Sequence, residues 1–328
     1  MNKKKIFVLL TLVLLATLTV ACGEEPDVEA KDKEKSYLSI ATGGTSGTYY
    51  PLGEALAKIY NSNIDGVDVT VQSTGASVEN IGLISKGDAE IGFTQSDITY
   101  YASEGIENFK DEGAVENLKG MAMFYPEVIQ IIVNTSSGIE SVEDLKGKKV
   151  AIGAVGSGTE ANARQILGAH GMDYNDLEKA DYLSFGEAGE QLKDNQIDAA
   201  FVTAGIPTEA VTEISKTSYI SVISLDSRKI NELSHKYPFY TEVTIPSESY
   251  DKQDEDITTI AVMAMLVVSE DLEEDLVYDL TKQLFENKES IIDTHDRGND
   301  LNLKTAKECM PIDLHPGSKR YYDEEGIK

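Results

Sequence analysis

Two short stretches of the chain carry the residue types that hold a small anion. The first is Thr45-Ser46-Gly47-Thr48-Tyr49, between an apolar segment, Tyr37 to Ala41, and a helix pattern in which Leu52, Leu56 and Ile59 recur at helical spacing. Glycine lets a backbone approach a ligand closely, and the first turn of a helix leaves N–H groups unpaired that favour negative charge. The hydroxyls of Thr45, Ser46 and Thr48 add further donors. The second stretch is Gly156-Ser157-Gly158-Thr159-Glu160, between the strand-like Val150 to Gly153 and a helix pattern with Ala161, Ile166 and Leu167. Taken singly, each stretch is equally an ordinary strand-to-helix connection with a Ser or Thr cap. Their repetition says more. Ser46 precedes Asp88, in Gly87-Asp88-Ala89-Glu90-Ile91, by almost the interval at which Ser157 precedes Asp198, in Ile197-Asp198-Ala199-Ala200-Phe201. Both second features read as a turn and a short buried strand, so the chain reads as two lobes of one architecture facing a shared cleft.

The elements around these turns supply further candidates. Val67 to Val71 alternates like a strand, Ser77 is placed to cap a helix with Val78, Ile81 and Ile84, and Ala89 to Phe93 forms the next strand. Gln95 and Ser96 follow that strand, at the place where open α/β sheets bind ligands, although a helix cap reads as well there. Thr203 takes the matching place after Ala199 to Val202. Tyr125 interrupts the apolar run Leu118 to Val133, whose second part, Val128 to Val133, is a core strand and a crossing between lobes. The ligand-binding set is therefore Thr45, Ser46, Tyr49, Gln95 and Ser96 from one lobe, Ser157, Thr159 and Thr203 from the other, and Tyr125 from the crossing. Arg164 is the one arginine near a candidate loop; it joins the set in a secondary role, with its orientation open.

Elsewhere, Ser141 and Ser184 are positioned as helix caps, with Asp144 answering Ser141. A return crossing is expected near Tyr240 to Ile245. Ile257 to Val268 reads as one or two core strands broken by a turn, and Leu272, Leu276, Leu280 and Leu284 form a helical stripe. The tail from Leu301 is expected to pack as a helix and a loop. The expected organisation is residues 1–21 as a lipoprotein signal peptide, 22–36 as a tether, 37–127 with 244–328 as lobe 1, and 128–243 as lobe 2.

At the N-terminus, Lys3 to Lys5 precede the apolar run Ile6 to Val20, too short to span a bilayer comfortably. Leu18-Thr19-Val20-Ala21-Cys22 has the form of a lipobox, cleaved before Cys22 with a lipid on its thiol. The mature protein is then extracytoplasmic and held to the cell membrane by acyl chains. The alternative is a single anchor helix. Cys309, the other cysteine, then lacks a disulfide partner and is expected in the core. The chain carries 57 acidic against 29 basic residues, a net charge of −28 that argues against nucleic acid as a partner. With 16 tyrosines and no tryptophan, tyrosine rings are the large surfaces available to line a cleft.

Covalent chemistry finds little support. The four histidines lack metal-ligand spacing, no Gly-x-Ser-x-Gly elbow or Gly-Lys-Ser/Thr loop occurs, and the carboxylates single out no pair. No cofactor, no metal site and no enzyme activity are expected.

Taken together, Ala41 to Gly53, Ser73 to Asn80, Glu90 to Asp97, Gly156 to Glu160 and Asp198 to Phe201 resemble, in order, the blocks of TRAP-associated extracytoplasmic solute receptors, the TAXI family. The resemblance implies an α/β, two-lobed periplasmic-binding-protein-like fold of type II. Each lobe would be a mixed sheet flanked by helices, with the ligand cleft between the lobes. It implies capture of a small organic anion, such as glutamate, glutamine or a dicarboxylate like 2-oxoglutarate. Delivery would be to the membrane subunit of a sodium-coupled TRAP transporter. The lipobox departs from the freely soluble receptors of many relatives. Readings from other classes are a surface lipoprotein with an adhesive or immunogenic role and a degenerate cleft, and an extracellular hydrolase.

Overall fold

A computed structural model describes residues 35–327. The proposed signal peptide, lipobox and most of the tether lie outside the described residues. The first half begins with strand β1 (Ser36–Ala41), helix α1 (Tyr49–Asn63), β2 (Val67–Gln72), α2 (Ser77–Lys86), β3 (Ile91–Gln95) and α3 (Ser96–Glu104). A 17-residue strand, β4 (Leu118–Asn134), leads out of it. The second half runs through β5 (Lys149–Ala151), α4 (Gly158–Ala169), β6 (Lys179–Asp181), α5 (Phe185–Lys193), β7 (Ala199–Ala204), α6 (Glu209–Thr217), β8 (Ile220–Val222), α7 (Ser227–Lys236) and β9 (Thr241–Ile245). The long β10 (Ile257–Ser269) leads back to α8 (Glu274–Glu286), α9 (Lys288–Ile292) and α10 (Pro316–Glu324).

Among the described residues the strands form one sheet, ordered β2-β1-β3-β10-β4-β7-β5-β6, with β8 added to β4 and β9 to β10. The two long strands are what join the halves. One end of β10 pairs with β3, through Ala264 to Val268, and the other pairs with β9, through Ile257 to Ala261. Beside it, β4 pairs with β10 up to Val128 and with β7 from Val128 to Val133. Each strand thus changes neighbours near its middle. Tyr125-Pro126-Glu127, expected as a break, stays within β4 opposite Val262 and Met263, where the register of β10 shifts. Pro126 has no N–H to give to a ladder, so a sheet accepts it at such an irregularity. β10 carries the chain back, while the expected crossing at Tyr240 to Ile245 is occupied by β9, paired alongside it.

Four buried clusters lie on the faces of this sheet. Two share the first half: one includes Ile40, Leu52, Leu56, Phe93, Leu280 and Leu284, the other Ile81, Ile84, Ile98 and Met265. Two share the second half, one around Ile131, Val150, Ile166 and Phe201, the other around Val202, Val211, Ile214 and Ile245. The α1 stripe is buried as its spacing requires. On α8, Val277 and Thr281 join Leu280 and Leu284 in the core, whereas Leu272 precedes the helix and Leu276 is only partly covered. Cys309 is exposed rather than part of the core, on a turn with φ of 57°. Among the described residues no helix is long and apolar enough to cross a membrane, and no His, Cys, Asp and Glu cluster could hold a metal ion.

Candidate functional site

The turns that end β1 and β5 meet across the molecule and enclose a cleft of about 180 Å³. Its first wall is the Gly43–Tyr49 turn with Thr74, Gly75 and Ala76; its second is Ala154, Ser157 and Thr159 with Ser184, Phe185 and Gly186. Gln95, Glu127, Thr203 and Ala204 complete it. The carboxyl ends of β1, β3 and β7 thus open onto one space, the place where α/β sheets collect their ligands.

The donors at this space come from backbone as much as from side chains. α1 starts at Tyr49 with no side-chain cap. Among the described residues no protein acceptor takes the N–H of Thr45, Ser46, Thr48 or Tyr49. The N–H groups of Gly158 and Thr159 at the start of α4 are likewise without a protein acceptor. Both helix starts therefore present unpaired dipole ends at residues that line the cleft, which suits a carboxylate. Ser157 is the N-cap of α4: its Oγ accepts the Glu160 N–H at 3.2 Å and donates to the Ala154 carbonyl at 2.8 Å.

The two walls are in contact, so the molecule is closed. The N–H groups of Val78 and Glu79 donate to the Gly156 carbonyl at 3.0 and 3.1 Å. The Gly205 N–H donates to Thr48 Oγ1 at 3.1 Å, and the Ala210 N–H to the Ser46 carbonyl at 3.3 Å. Gly75 permits this approach, since a Cβ there would sit 2.2 Å from the Val155 carbonyl oxygen. At Gly158 a Cβ would sit 1.9 Å from Gln95 Oε1. Gln95 Nε2 donates to Asn162 Oδ1 at 2.9 Å, and Thr203 Oγ1 donates to the same oxygen at 3.1 Å. Asn162 Nδ2 in turn donates to Asp97 Oδ2 at 3.0 Å and to the Tyr240 hydroxyl at 2.9 Å. Burial pushes the Asp97 carboxyl up to about 6, partly offset by these hydrogen bonds.

Among the described residues Glu127 is the one acidic side chain on the cleft wall, and it is 2% exposed. Tyr49 donates its hydroxyl to Glu127 Oε2 at 2.7 Å and Tyr125 donates to Oε1 at 3.3 Å. Desolvation pushes the carboxyl up to about 8, against the pull of both hydroxyls. Among the described residues no lysine or arginine lines the cleft.

Of the residues expected to bind ligand, the fold brings Thr45, Ser46, Tyr49, Gln95, Ser157, Thr159 and Thr203 to the cleft. It does not bring Ser96, which is buried at the start of α3, where its Oγ accepts the Met263 N–H at 3.4 Å. Tyr125 stands behind Glu127 rather than on the wall. Arg164 lies on the far side of α4, its guanidinium on Glu107 at 2.9 Å and Glu160 at 3.4 Å. Thr48, expected as a further donor of the first turn, also lines the cleft; residues missed by sequence reasoning are Glu127, the Thr74–Ala76 turn and the Ser184–Gly186 turn. Glu127 did leave a signal, a charged residue directly before the β-branched run Val128 to Val133. Ser184 was expected only as a cap, which it is, its Oγ accepting the Glu187 N–H at 3.3 Å.

Residues 40–326 match the model of the NMT1-like family. The chain belongs to the NMT1-like family. Solved structures share its fold at low identity. PhnD1 from Prochlorococcus marinus, in complex with methylphosphonate, is 14% identical, with a TM-score of 0.55 over 89% of this chain and 97% of that one. A structure concerned with glutathione import through GshT and the cystine ABC importer TcyBC of Streptococcus mutans is 15% identical. Its TM-score is 0.50, over 81% of this chain and 97% of that one. The fold of this NMT1-like protein is that of the periplasmic solute-binding proteins, a mixed α/β structure with a ligand cleft.

Proposed function

We propose that this protein is the extracytoplasmic substrate-binding component of an importer, capturing a small organic acid in the cleft between its lobes. The observation that carries the reading is the convergence of two uncapped or partly capped helix starts, at Tyr49 and Gly158, on one enclosed space. The solute-binding fold favours capture over catalysis. The lobes would be residues 37–127 with the chain from Val262 onward, and 128–261, hinged where β4 and β10 change neighbours. The ordered sequence blocks favour the TAXI class and hence a TRAP membrane subunit as partner. The Leu18–Cys22 pattern favours lipid anchoring at Cys22, outside the cell membrane. Glutamate, glutamine and dicarboxylates are the leading ligands. Titration calorimetry with a panel of such acids tests the reading. Saturable binding of at least one is expected at micromolar concentration, and no heat from any of them contradicts it.

A further inference from the structure

A buried carboxyl group stands on the cleft wall, and among the described residues no lysine or arginine lines that wall. Glu127 sits where β4 crosses between the halves, and both of its oxygens accept tyrosine hydroxyls. Each oxygen keeps a further lone pair for a donor in the cleft. The charge that acts on it is of the same sign, that of Asp97 behind Gln95. Arg297, beyond Gly205, is paired with Asp300 at 2.9 Å and does not line the cleft. A buried carboxylate without a partner is costly, so Glu127 either holds a proton or is paired by a cation that enters the cleft. Tyr49 joins the two features: its backbone N–H is among the unpaired donors at the start of α1, and its hydroxyl rests on Glu127. The unpaired donors of the turn and the carboxyl of Glu127 thus belong to one wall of the cleft.

We propose that Glu127 is a specificity-determining residue that receives the ammonium group of a small amino acid, whose carboxylate the Thr45–Tyr49 turn and the start of α4 hold. The inference rests on the receptor reading given above and narrows it from organic acids to amino acids. The raised proton affinity of the buried carboxyl fits an empty cleft, and an ammonium group there returns the carboxyl to its charged form. The competing arrangement is a neutral Glu127 that donates to a second ligand carboxylate, and that arrangement favours dicarboxylates without an amine.

The test compares acids that differ only by the amine, by calorimetry on the intact protein: glutamate with glutarate, aspartate with succinate, alanine with propionate and leucine with isocaproate. At least one amino acid should bind, and its amine-free partner should bind at least about thirtyfold more weakly, the scale of losing one member of a buried charge pair. Glu127→Gln should remove most of that preference while its melting curve confirms a folded protein. If the variant does not fold, the comparison on the unaltered protein still decides. An amine-free acid that binds as tightly as its amino acid overturns the role of Glu127 and leaves the receptor reading standing. Binding by neither kind of acid overturns both.

Discussion

The Ser-Gly-Thr turns of the two lobes are alike in sequence and unlike in use. In the second lobe Ser157 caps α4, so its hydroxyl is committed to the Glu160 N–H and the Ala154 carbonyl. In the first lobe neither Ser46 nor Thr48 caps α1. Thr48 instead accepts the Gly205 N–H from across the cleft, and the Ser46 carbonyl accepts the Ala210 N–H. One turn is finished by its own lobe, and the other is finished only by its opposite. A repeated motif thus marks where a cleft is, while the hydrogen bonds decide which copy is rigid and which is available to ligand and closure.

The comparison breaks most easily where the walls touch. Gly75→Ala places a Cβ 2.2 Å from the Val155 carbonyl oxygen, a backbone atom that cannot move aside cheaply. The variant should fold yet fail to close, with affinity for any bound acid reduced by at least about a hundredfold, or roughly 2.7 kcal/mol. Scattering with saturating acid should then show the extended rather than the compact form. Gly82→Ala, with nothing within 4 Å of the new Cβ, is the matched control and should bind normally.

A smaller effect separates the two turns themselves. Ser157→Ala removes a cap and should cost about 1 kcal/mol, a fall of roughly 2–4 °C in melting temperature for a domain of this size. In the sequence alone Ser157 is open as a ligand donor or a cap, and the ligand role carries little expected loss of stability; its hydrogen bonds to Glu160 and Ala154 make loss of the cap a cost as well. Ser46→Ala loses no cap, so its melting temperature should hold while affinity falls by about three- to tenfold, the worth of a neutral hydrogen bond. Calorimetry and thermal melts on both variants check the crossing of the two effects. Equal stability loss in both would remove the distinction.

The smallest effect concerns Arg164. Its pairs with Glu107 and Glu160 are partly exposed, and such pairs contribute about 0–1 kcal/mol. Arg164→Gln should leave affinity within about twofold, measured in the same titrations. A collapse of binding would mean that the arginine reaches the ligand after all.

Much of this arrangement was legible in the chain. The α1 stripe of Leu52, Leu56 and Ile59 follows helical periodicity, and the buried run Ala199 to Val202 ends at Thr203 where a sheet would open onto a cleft. What stayed hidden is long-range. Pro126 made β4 look broken, because sequence alone does not show that β10 shifts register opposite it. That concealed Glu127 inside a strand. Arg164 is close to Ser157 along the chain, but a helix turns successive side chains away from one another, and Glu107 from another segment holds it outward. Ser96 reads equally as a ligand residue past the strand end or as part of a helix start; it starts α3, with its hydroxyl turned to the β10 backbone. The Ser184–Gly186 turn reaches the cleft only because Gly186 packs against Ser46.

The most direct measurement is the crystal structure of the protein with an acid identified by titration. The ligand carboxylate should lie within hydrogen-bond distance of the N–H groups of Thr45 to Tyr49 and of Gly158 or Thr159, with no lysine or arginine side chain touching it. A carboxylate gripped by an arginine, or an acid bound outside the cleft while these N–H groups stay unpaired, would contradict the account.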